Sequence, residues 1–144
     1  MATEHRAQAT WNGSLLEGSG TIDSSTSGAI GGQTVSWKAR STDEAGGSTS
    51  PEELIAAAHA ACFSMALSSG LSKGGSPPDQ LTTSATVTFQ PGEGITKIAL
   101  AVEGTVPGID AAAFQEAAEG AKENCPVSKA LAGVPEITLE ARLK

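Results

Sequence analysis

Polar and apolar residues alternate in short stretches of the first fifty residues, as they do in half-buried β-strands. One alternation spans residues 7–11, a weaker one begins at Thr21, and the clearest spans residues 34–40. The pattern predicts three antiparallel strands and places Arg40 on the polar face of the third. Residues 43–49 show no periodicity and predict a loop.

A helix is predicted to begin directly after this loop. Ser50 is a good N-cap residue, Pro51 suits the first helical position, and Glu53 can complete a capping box. The apolar residues that follow predict a buried helix that continues to about Ser69 and ends at Gly70.

Alternation returns in the second half of the chain. It predicts a hairpin over residues 81–106 and a strand near 137–143. Between them, an apolar stripe predicts a helix over 111–123 with Asp110 as N-cap, and a short helix is predicted over 126–132. The predicted element order is therefore βββ-α-ββ-α-α-β. Because no repeat or linker divides the chain, we predict one α+β domain over residues 1–144.

Composition and charge narrow the range of partners. Nine basic and sixteen acidic residues give a net charge of −7, so a polyanion would be repelled and no nucleic-acid partner is expected. The apolar stretch 54–67 is interrupted by His59 and Ser64 and is shorter than the roughly 20 residues of a membrane span. We therefore expect no membrane partner.

The first eleven residues contain no apolar stretch of the kind found in signal peptides. The expected compartment is accordingly the reducing cytoplasm, where two cysteines remain thiols unless chemistry oxidises them.

The two cysteines have different predicted environments. Cys125 stands at the start of the short helix, where free backbone N–H groups and the helix dipole favour a thiolate. Cys62 lies in the middle of the apolar helix, and burial there should raise its pKa. A reactive Cys62 needs a cation from elsewhere in the fold, and Arg40 is the best candidate.

The residues alone leave several interpretations of these thiols open. On the residues alone Cys62 is most simply a small core residue, and a structural disulfide with Cys125 is an alternative that a cytoplasmic protein disfavours. Two thiols can also form a redox pair, in which one reacts with an oxidant and the other resolves the sulfenic acid. His59, with both cysteines and His5, could instead contribute to a metal site, although the short paired spacings of zinc sites are missing.

Three stretches of the sequence resemble the OsmC/Ohr family, and in particular its OsmC proteins. They are SPEELIAAAHAACFSMALS at residues 50–68, ITKIALAVEGTVPGIDAAAF at 95–114 and AKENCPVSKAL at 121–131. The order of elements and the length also agree, so the resemblance covers essentially the whole chain.

The resemblance implies a thiol-dependent peroxidase that reduces organic hydroperoxides and, more weakly, hydrogen peroxide. It implies an intertwined homodimer with shared antiparallel sheets around central helices. The implied reductant is a small dithiol or a dihydrolipoyl protein, and no bound cofactor or metal is expected.

Site residues follow from the same resemblance. Cys62 matches the peroxidatic cysteine, Cys125 the resolving cysteine and Glu52 the catalytic glutamate, while Arg40 is the expected active-site arginine and Arg6 its alternative. Glu52 and Cys62 are about 15 Å apart along a continuous helix. If both line one pocket, Glu52 comes from the partner subunit or acts through a long arginine.

Two other functions remain as alternatives to the peroxidase. One is a noncatalytic protein that binds a small apolar ligand, and the other is a metal-binding dimer.

Overall fold

The structure is a computed structural model that describes all residues from Met1 to Lys144. Its elements in chain order are β1 Ala7–Asn12, β2 Ser19–Ser25, β3 Thr34–Val35, α1 Trp37–Ser41, α2 Pro51–Lys73, β4 Gln80–Gln90, β5 Gly94–Thr105, α3 Ala111–Asn124, α4 Pro126–Ala130 and β6 Glu136–Leu143. The α+β class is confirmed, and the observed order differs from the predicted one by the additional helix α1.

The chain divides into two compact units, Met1–Glu52 and Glu53–Lys144. The boundary between the two units falls in the first turn of α2. That the two units form one domain stays a prediction.

The first unit contains the three predicted strands, paired antiparallel in the order β1-β2-β3. The second strand ends at Ser25, and the segment that follows it turns back through Gly32, whose φ is +87°. The third strand is only two residues long. The predicted strand over residues 34–40 is therefore wrong for most of its length.

Helix α1 replaces that strand because Ser36 acts as an N-cap. The Ser36 hydroxyl accepts a hydrogen bond from the Ala39 N–H at 3.0 Å, and the backbone of Ser36 is extended, with φ −147° and ψ 157°. A serine cap satisfies a free N–H of the first turn. Arg40 consequently lies on a helix and not, as predicted, on the polar face of a strand.

The second unit contains a three-stranded sheet in the order β4-β5-β6. The predicted hairpin of β4 and β5 is confirmed, with antiparallel pairing from Gln80 with Thr105 to Gln90 with Gly94. Strand β6 runs parallel to β5, so the expectation of purely antiparallel sheets is wrong here. Helices α3 and α4 cross over between these two strands, and such a crossover permits parallel pairing.

Helix α2 continues beyond its predicted end at Gly70 and stops at Lys73. Its end has the Schellman pattern, in which the Ser76 N–H donates to the Leu71 carbonyl at 2.9 Å and the Gly75 N–H donates to the Ser72 carbonyl at 3.1 Å. Gly75 has a φ of +87°, which a residue with a Cβ rarely adopts. The glycine that ends the helix is therefore the one with positive φ.

The hydrophobic core lies in the second unit, where one face of α2 and the inner face of α3 pack with β5. Its fully buried side chains include Phe63, Leu67, Ile98, Leu100 and Phe114. The predicted Asp110 cap of α3 is confirmed by a 2.8 Å hydrogen bond from the Ala113 N–H to the Asp110 carboxylate.

The prediction that α2 is a buried helix holds for one of its faces only. Every fourth residue from His59 to Leu71 is buried, whereas Met65 is 73% exposed. By length and composition α2 could cross a membrane, and 22% of its most apolar window is buried within the chain. Core helices of soluble proteins reach the same length and composition.

Candidate active site

The two cysteines meet in the second unit. The Sγ atoms of Cys62 and Cys125 are 2.9 Å apart, although 63 residues separate them in the sequence, and both are free thiols. A disulfide bond is about 2.05 Å long, so a displacement of about 0.9 Å would bring the sulfurs to bonding distance. The fold thus produces the proximity that a redox pair requires.

The backbone holds Cys125 at the junction of two helices. Its N–H donates to the Ala121 carbonyl at 2.8 Å, and its carbonyl accepts from the Lys129 N–H at 3.0 Å. Cys125 is therefore both the C-cap of α3 and the N-cap of α4, with Pro126 at the first position of α4. Because both helices fix it, the direction of its side chain is set by the α3–α4 corner.

The pKa of Cys125 is lowered, as the sequence predicts. Burial raises the pKa of this thiol, but hydrogen bonds from the Cys62 thiol, from the backbone N–H and hydroxyl of Ser128 and from the Val127 N–H outweigh burial. These donors favour the negative sulfur, and the N–H groups belong to the first turn of α4.

The pKa of Cys62 is raised, chiefly by burial and then by its hydrogen bond to Cys125, despite a backbone hydrogen bond from Val127 that lowers it. By distance alone the proton between the sulfurs could belong to either thiol. The opposite directions of the two pKa shifts correspond to a state in which Cys125 is ionised and Cys62 donates to it. Within Glu53–Lys144 no lysine or arginine is among the groups that perturb Cys62.

His59 precedes Cys62 by three residues on α2 and is fully buried. Its Nε2 forms a 2.7 Å hydrogen bond with the hydroxyl of Ser128, and its Nδ1 has no partner. Burial lowers the pKa of His59, so the ring is neutral at neutral pH. The structure contains no group of three or more His, Cys, Asp or Glu side chains that could hold a metal ion.

The sequence did not single out Ser128. The only local feature of Ser128 is its position three residues after Cys125, in the first turn of α4, and this position alone does not distinguish it from other serines near a helix start.

Arg40 and Glu52 meet in the first unit. The Arg40 Nε–H donates to both carboxylate oxygens of Glu52, at 3.0 and 3.2 Å. The side chain of Glu52 is 7% exposed and that of Arg40 is 35% exposed. Glu52 stands in the first turn of α2, where the helix dipole also favours a carboxylate.

Arg6, the alternative arginine, has a different environment. It precedes β1, its side chain is 80% exposed, and it pairs with Glu4. Of the two arginines, Arg40 is therefore the one that contacts the predicted glutamate.

An apolar cavity of about 340 Å³ lies beside Arg40 within the first unit. Its lining residues are Trp11, Leu15, Val35, Ser36, Trp37, Arg40 and Pro51. The cavity combines an aromatic and aliphatic wall with one guanidinium group.

The arrangement in the second unit can form and reopen an intramolecular disulfide. The fold and this site therefore define the chain as an α+β protein in which two thiols that are distant in sequence lie close enough in space to form a redox pair.

Comparisons with known proteins agree with this class. The family model for OsmC-like proteins matches residues 43–140. The chain is 46% identical over 147 aligned positions to peroxiredoxin OsmC from Escherichia coli, covering 100% of this chain and 99% of that protein, and the same values apply to peroxiredoxin OsmC from Shigella flexneri. The chain therefore belongs to the OsmC-like protein family.

Solved structures show the same fold. The organic hydroperoxide resistance protein OhrB of Bacillus subtilis is 26% identical with a TM-score of 0.63, covering 96% of this chain and 98% of that chain. An OsmC-like protein from Vibrio cholerae has a TM-score of 0.70 at 18% identity, with 97% and 99% of the two chains covered.

Proposed function

We propose that this protein is a thiol-dependent peroxidase that reduces organic hydroperoxides, and hydrogen peroxide more weakly. The observation that carries the proposal is the 2.9 Å approach of the two cysteine sulfurs. The relatives named peroxiredoxin OsmC and organic hydroperoxide resistance protein support the same reaction.

Cys62 is the proposed nucleophile because its side chain is partly exposed, whereas Cys125 is fully buried. Its thiolate attacks the distal oxygen of the hydroperoxide, so that an S–O bond forms and the O–O bond breaks. The departing alkoxide takes up a proton and leaves as the alcohol. Cys62 is then a sulfenic acid.

Cys125 is the proposed resolving residue. Its thiolate attacks the sulfur of the Cys62 sulfenic acid, an S–S bond forms, and hydroxide leaves and is protonated to water. A small dithiol or dihydrolipoyl protein then reduces the disulfide by two thiol exchange steps. The chemistry uses the two thiols and needs no bound cofactor.

Arg40 is proposed to stabilise the Cys62 thiolate and to orient the peroxide, since the raised pKa of Cys62 calls for a nearby cation. The hydrogen bonds from the Arg40 Nε–H to Glu52 support this role, because they fix the direction of the guanidinium group. The apolar cavity beside Arg40 fits the alkyl part of an organic hydroperoxide.

We propose a homodimer in which a partner subunit supplies the Arg40 and Glu52 pair to Cys62. Ten residues of continuous helix separate Glu52 from Cys62, about 15 Å. The exposed apolar face of α2, which includes Met65, is consistent with an interface between copies. An active monomer in light scattering would contradict this assembly.

The proposed location is the cytoplasm.

The test is consumption of cumene hydroperoxide, tert-butyl hydroperoxide and hydrogen peroxide with dihydrolipoamide or dithiothreitol as reductant. Cys62→Ser should abolish turnover, whereas Cys125→Ser should still consume about one equivalent of organic peroxide and accumulate a sulfenic acid that dimedone traps. Peroxide consumption by Cys62→Ser, or no turnover of any peroxide by the wild type, would refute the proposal.

A second candidate function rests on the cavity of the first unit, which could bind a small apolar ligand without catalysis. Binding of a fluorescent apolar probe that survives replacement of both cysteines, in a protein without peroxide turnover, would favour this function.

A further inference from the structure

His59 and Ser128 are buried polar residues that the proposed peroxide chemistry does not use. They come from different helices, α2 and α4, and are 69 residues apart in the sequence. A 2.7 Å hydrogen bond joins the imidazole of fully buried His59 to the hydroxyl of Ser128, a residue that is 8% exposed. Burying polar groups costs free energy unless they are hydrogen-bonded, and the imidazole meets this condition through Ser128 at Nε2 only.

The direction of the hydrogen bonds can be deduced from the unpartnered atom. Nδ1 of His59 is buried without a partner, and an N–H there would be an unsatisfied donor, whereas a bare lone pair costs less. The proton of the neutral ring therefore belongs on Nε2, which donates to the Ser128 hydroxyl. The hydroxyl proton is then free to point towards Cys125, which is the N-cap residue of α4 three positions before Ser128, and the Ser128 side chain is among the groups that lower the pKa of Cys125.

We propose that His59 and Ser128 are positioning residues that form a hydrogen-bond chain, His59 Nε2–H to Ser128 Oγ–H to Cys125 Sγ, and hold Cys125 as the attacking thiolate of disulfide formation. The proposal rests on the proposed function for its role in turnover, but the hydrogen-bond chain itself does not depend on that function. No charged side chain is among the groups that act on Cys125, so neutral donors supply the stabilisation.

The hydrogen-bond chain acts both in the formation of the disulfide and in its reduction. When the disulfide forms, it keeps the Cys125 sulfur unprotonated until the S–S bond replaces the S–O bond of the Cys62 sulfenic acid. When a dithiol reduces the disulfide, its thiolate attacks the more accessible sulfur of Cys62, and the S–S electron pair leaves with Cys125. A stabilised thiolate is the better leaving group.

The first experiment titrates the thiolate absorbance of Cys125 in the far ultraviolet in a Cys62→Ser background, where Cys125 is the only cysteine. Adding Ser128→Ala should move the titration midpoint to higher pH, and adding His59→Phe should move it in the same direction. His59→Gln is the matched control, because its amide nitrogen can occupy the place of Nε2 and donate to Ser128. The titration midpoint of the His59→Gln variant should therefore stay close to that of the Cys62→Ser protein.

An unchanged midpoint in Ser128→Ala would overturn the proposal. So would a shift in His59→Gln equal to that in His59→Phe, since the imidazole would then act by packing alone. Ser128→Ala removes a single oxygen atom, so it decides the question even if His59→Phe does not fold.

The second experiment keeps both cysteines and follows disulfide formation in a single turnover with cumene hydroperoxide. We expect Ser128→Ala to slow the resolving step about tenfold to 100-fold, the loss expected for one hydrogen bond to a charged atom. The preceding oxidation of Cys62 should keep its rate. If the wild type does not react with peroxide, the proposed function fails, while the titration still tests the hydrogen-bond chain. If Ser128→Ala slows the oxidation of Cys62 and leaves the resolving step unchanged, the proposed role of the hydrogen-bond chain is overturned.

Discussion

The two compact units of the chain differ in what they contribute. Met1–Glu52 carries the arginine and glutamate pair but holds only one buried hydrophobic residue, Ile22. Glu53–Lys144 carries both cysteines and all the other buried hydrophobic residues. The Arg40–Glu52 ion pair therefore lies in a unit with almost no buried hydrophobic residues, and the two thiols lie in the unit that contains the core.

The difference has a physical basis. Burial of apolar surface provides most of the stability of a fold, and every residue of β1 is exposed. Large apolar side chains such as Leu15 and Leu16 are 53% and 76% exposed in this unit. A second copy of the chain would cover such surface, which agrees with the proposed homodimer. The two thiols, in contrast, need a rigid core to hold two sulfurs 2.9 Å apart.

The largest expected effect concerns the core of the second unit. Phe114 is 1% exposed, and Phe114→Ala should lower the free energy of unfolding by about 3–5 kcal/mol because it leaves a cavity. Urea denaturation of the reduced protein measures the change. Gln33→Ala, at an exposed polar position of the first unit, is the control, and it should change stability by less than about 0.5 kcal/mol. Equal losses would break the comparison between the units.

The second prediction tests the charge pair of the first unit. Arg40→Met should lower kcat/KM for cumene hydroperoxide about 100-fold, or about 2.7 kcal/mol, because the Cys62 thiolate loses its proposed cation. Steady-state peroxide consumption measures the loss. Arg6→Met replaces an arginine that is 80% exposed and should keep full activity. If Arg6→Met lost activity and Arg40→Met did not, the arginine assignment would be wrong.

Two glycines provide a matched test of how rigid each unit is. A Cβ at Gly104 would lie 2.7 Å from Phe114 Cζ, and one at Gly20 would lie 2.7 Å from Val35 Cγ2 and 2.8 Å from Trp11 Cε3. Gly104→Ala should cost about 2 kcal/mol, because buried Phe114 cannot move away. Gly20→Ala should cost less than about 1 kcal/mol, since Trp11 is 41% exposed and can shift. Thermal denaturation of both variants measures the difference, and a larger loss for Gly20→Ala would contradict it.

The smallest expected effect is the pH dependence that buried His59 gives the second unit. Its pKa in the folded protein lies below the ordinary value of 6.5. Between these two values the unfolded chain binds a proton that the folded chain does not, so stability falls as pH drops through this window. From about pH 7 to about pH 5 the wild type should lose stability relative to His59→Gln, by at most about 1.4 kcal/mol per pH unit.

Urea denaturation at several pH values measures this difference. A constant difference between the two proteins would show that His59 titrates normally in the folded state.

Much of the fold could be predicted from local pattern. The β4–β5 hairpin follows from alternation over eleven and twelve residues, and Asp110 indicated the start of α3. The failures came where two local signals competed. Residues 34–40 alternate like a strand, but the Ser36 cap converts most of them into α1, and alternation over so few residues does not outweigh a cap.

The candidate site divides in the same way. Cys62 and Cys125 could be singled out by their residue type and by their contrasting helix positions, and Glu52 and Arg40 by family resemblance. Ser128 could not be selected, because a serine in a first turn is common and its hydrogen bond to His59 spans 69 residues of sequence. The parallel pairing of β6 was also missed, since strand direction depends on where the α3–α4 crossover returns the chain.

The sequence by itself determined the elements of the second unit, the thiol count and the acidic charge, because periodicity and composition can be read along the chain without knowing which distant residues meet. Only the tertiary structure decided that Cys125 meets Cys62, that Arg40 meets Glu52 and that His59 meets Ser128. Those contacts join residues that are distant along the chain, and only the packing of the core determines which distant residues become neighbours.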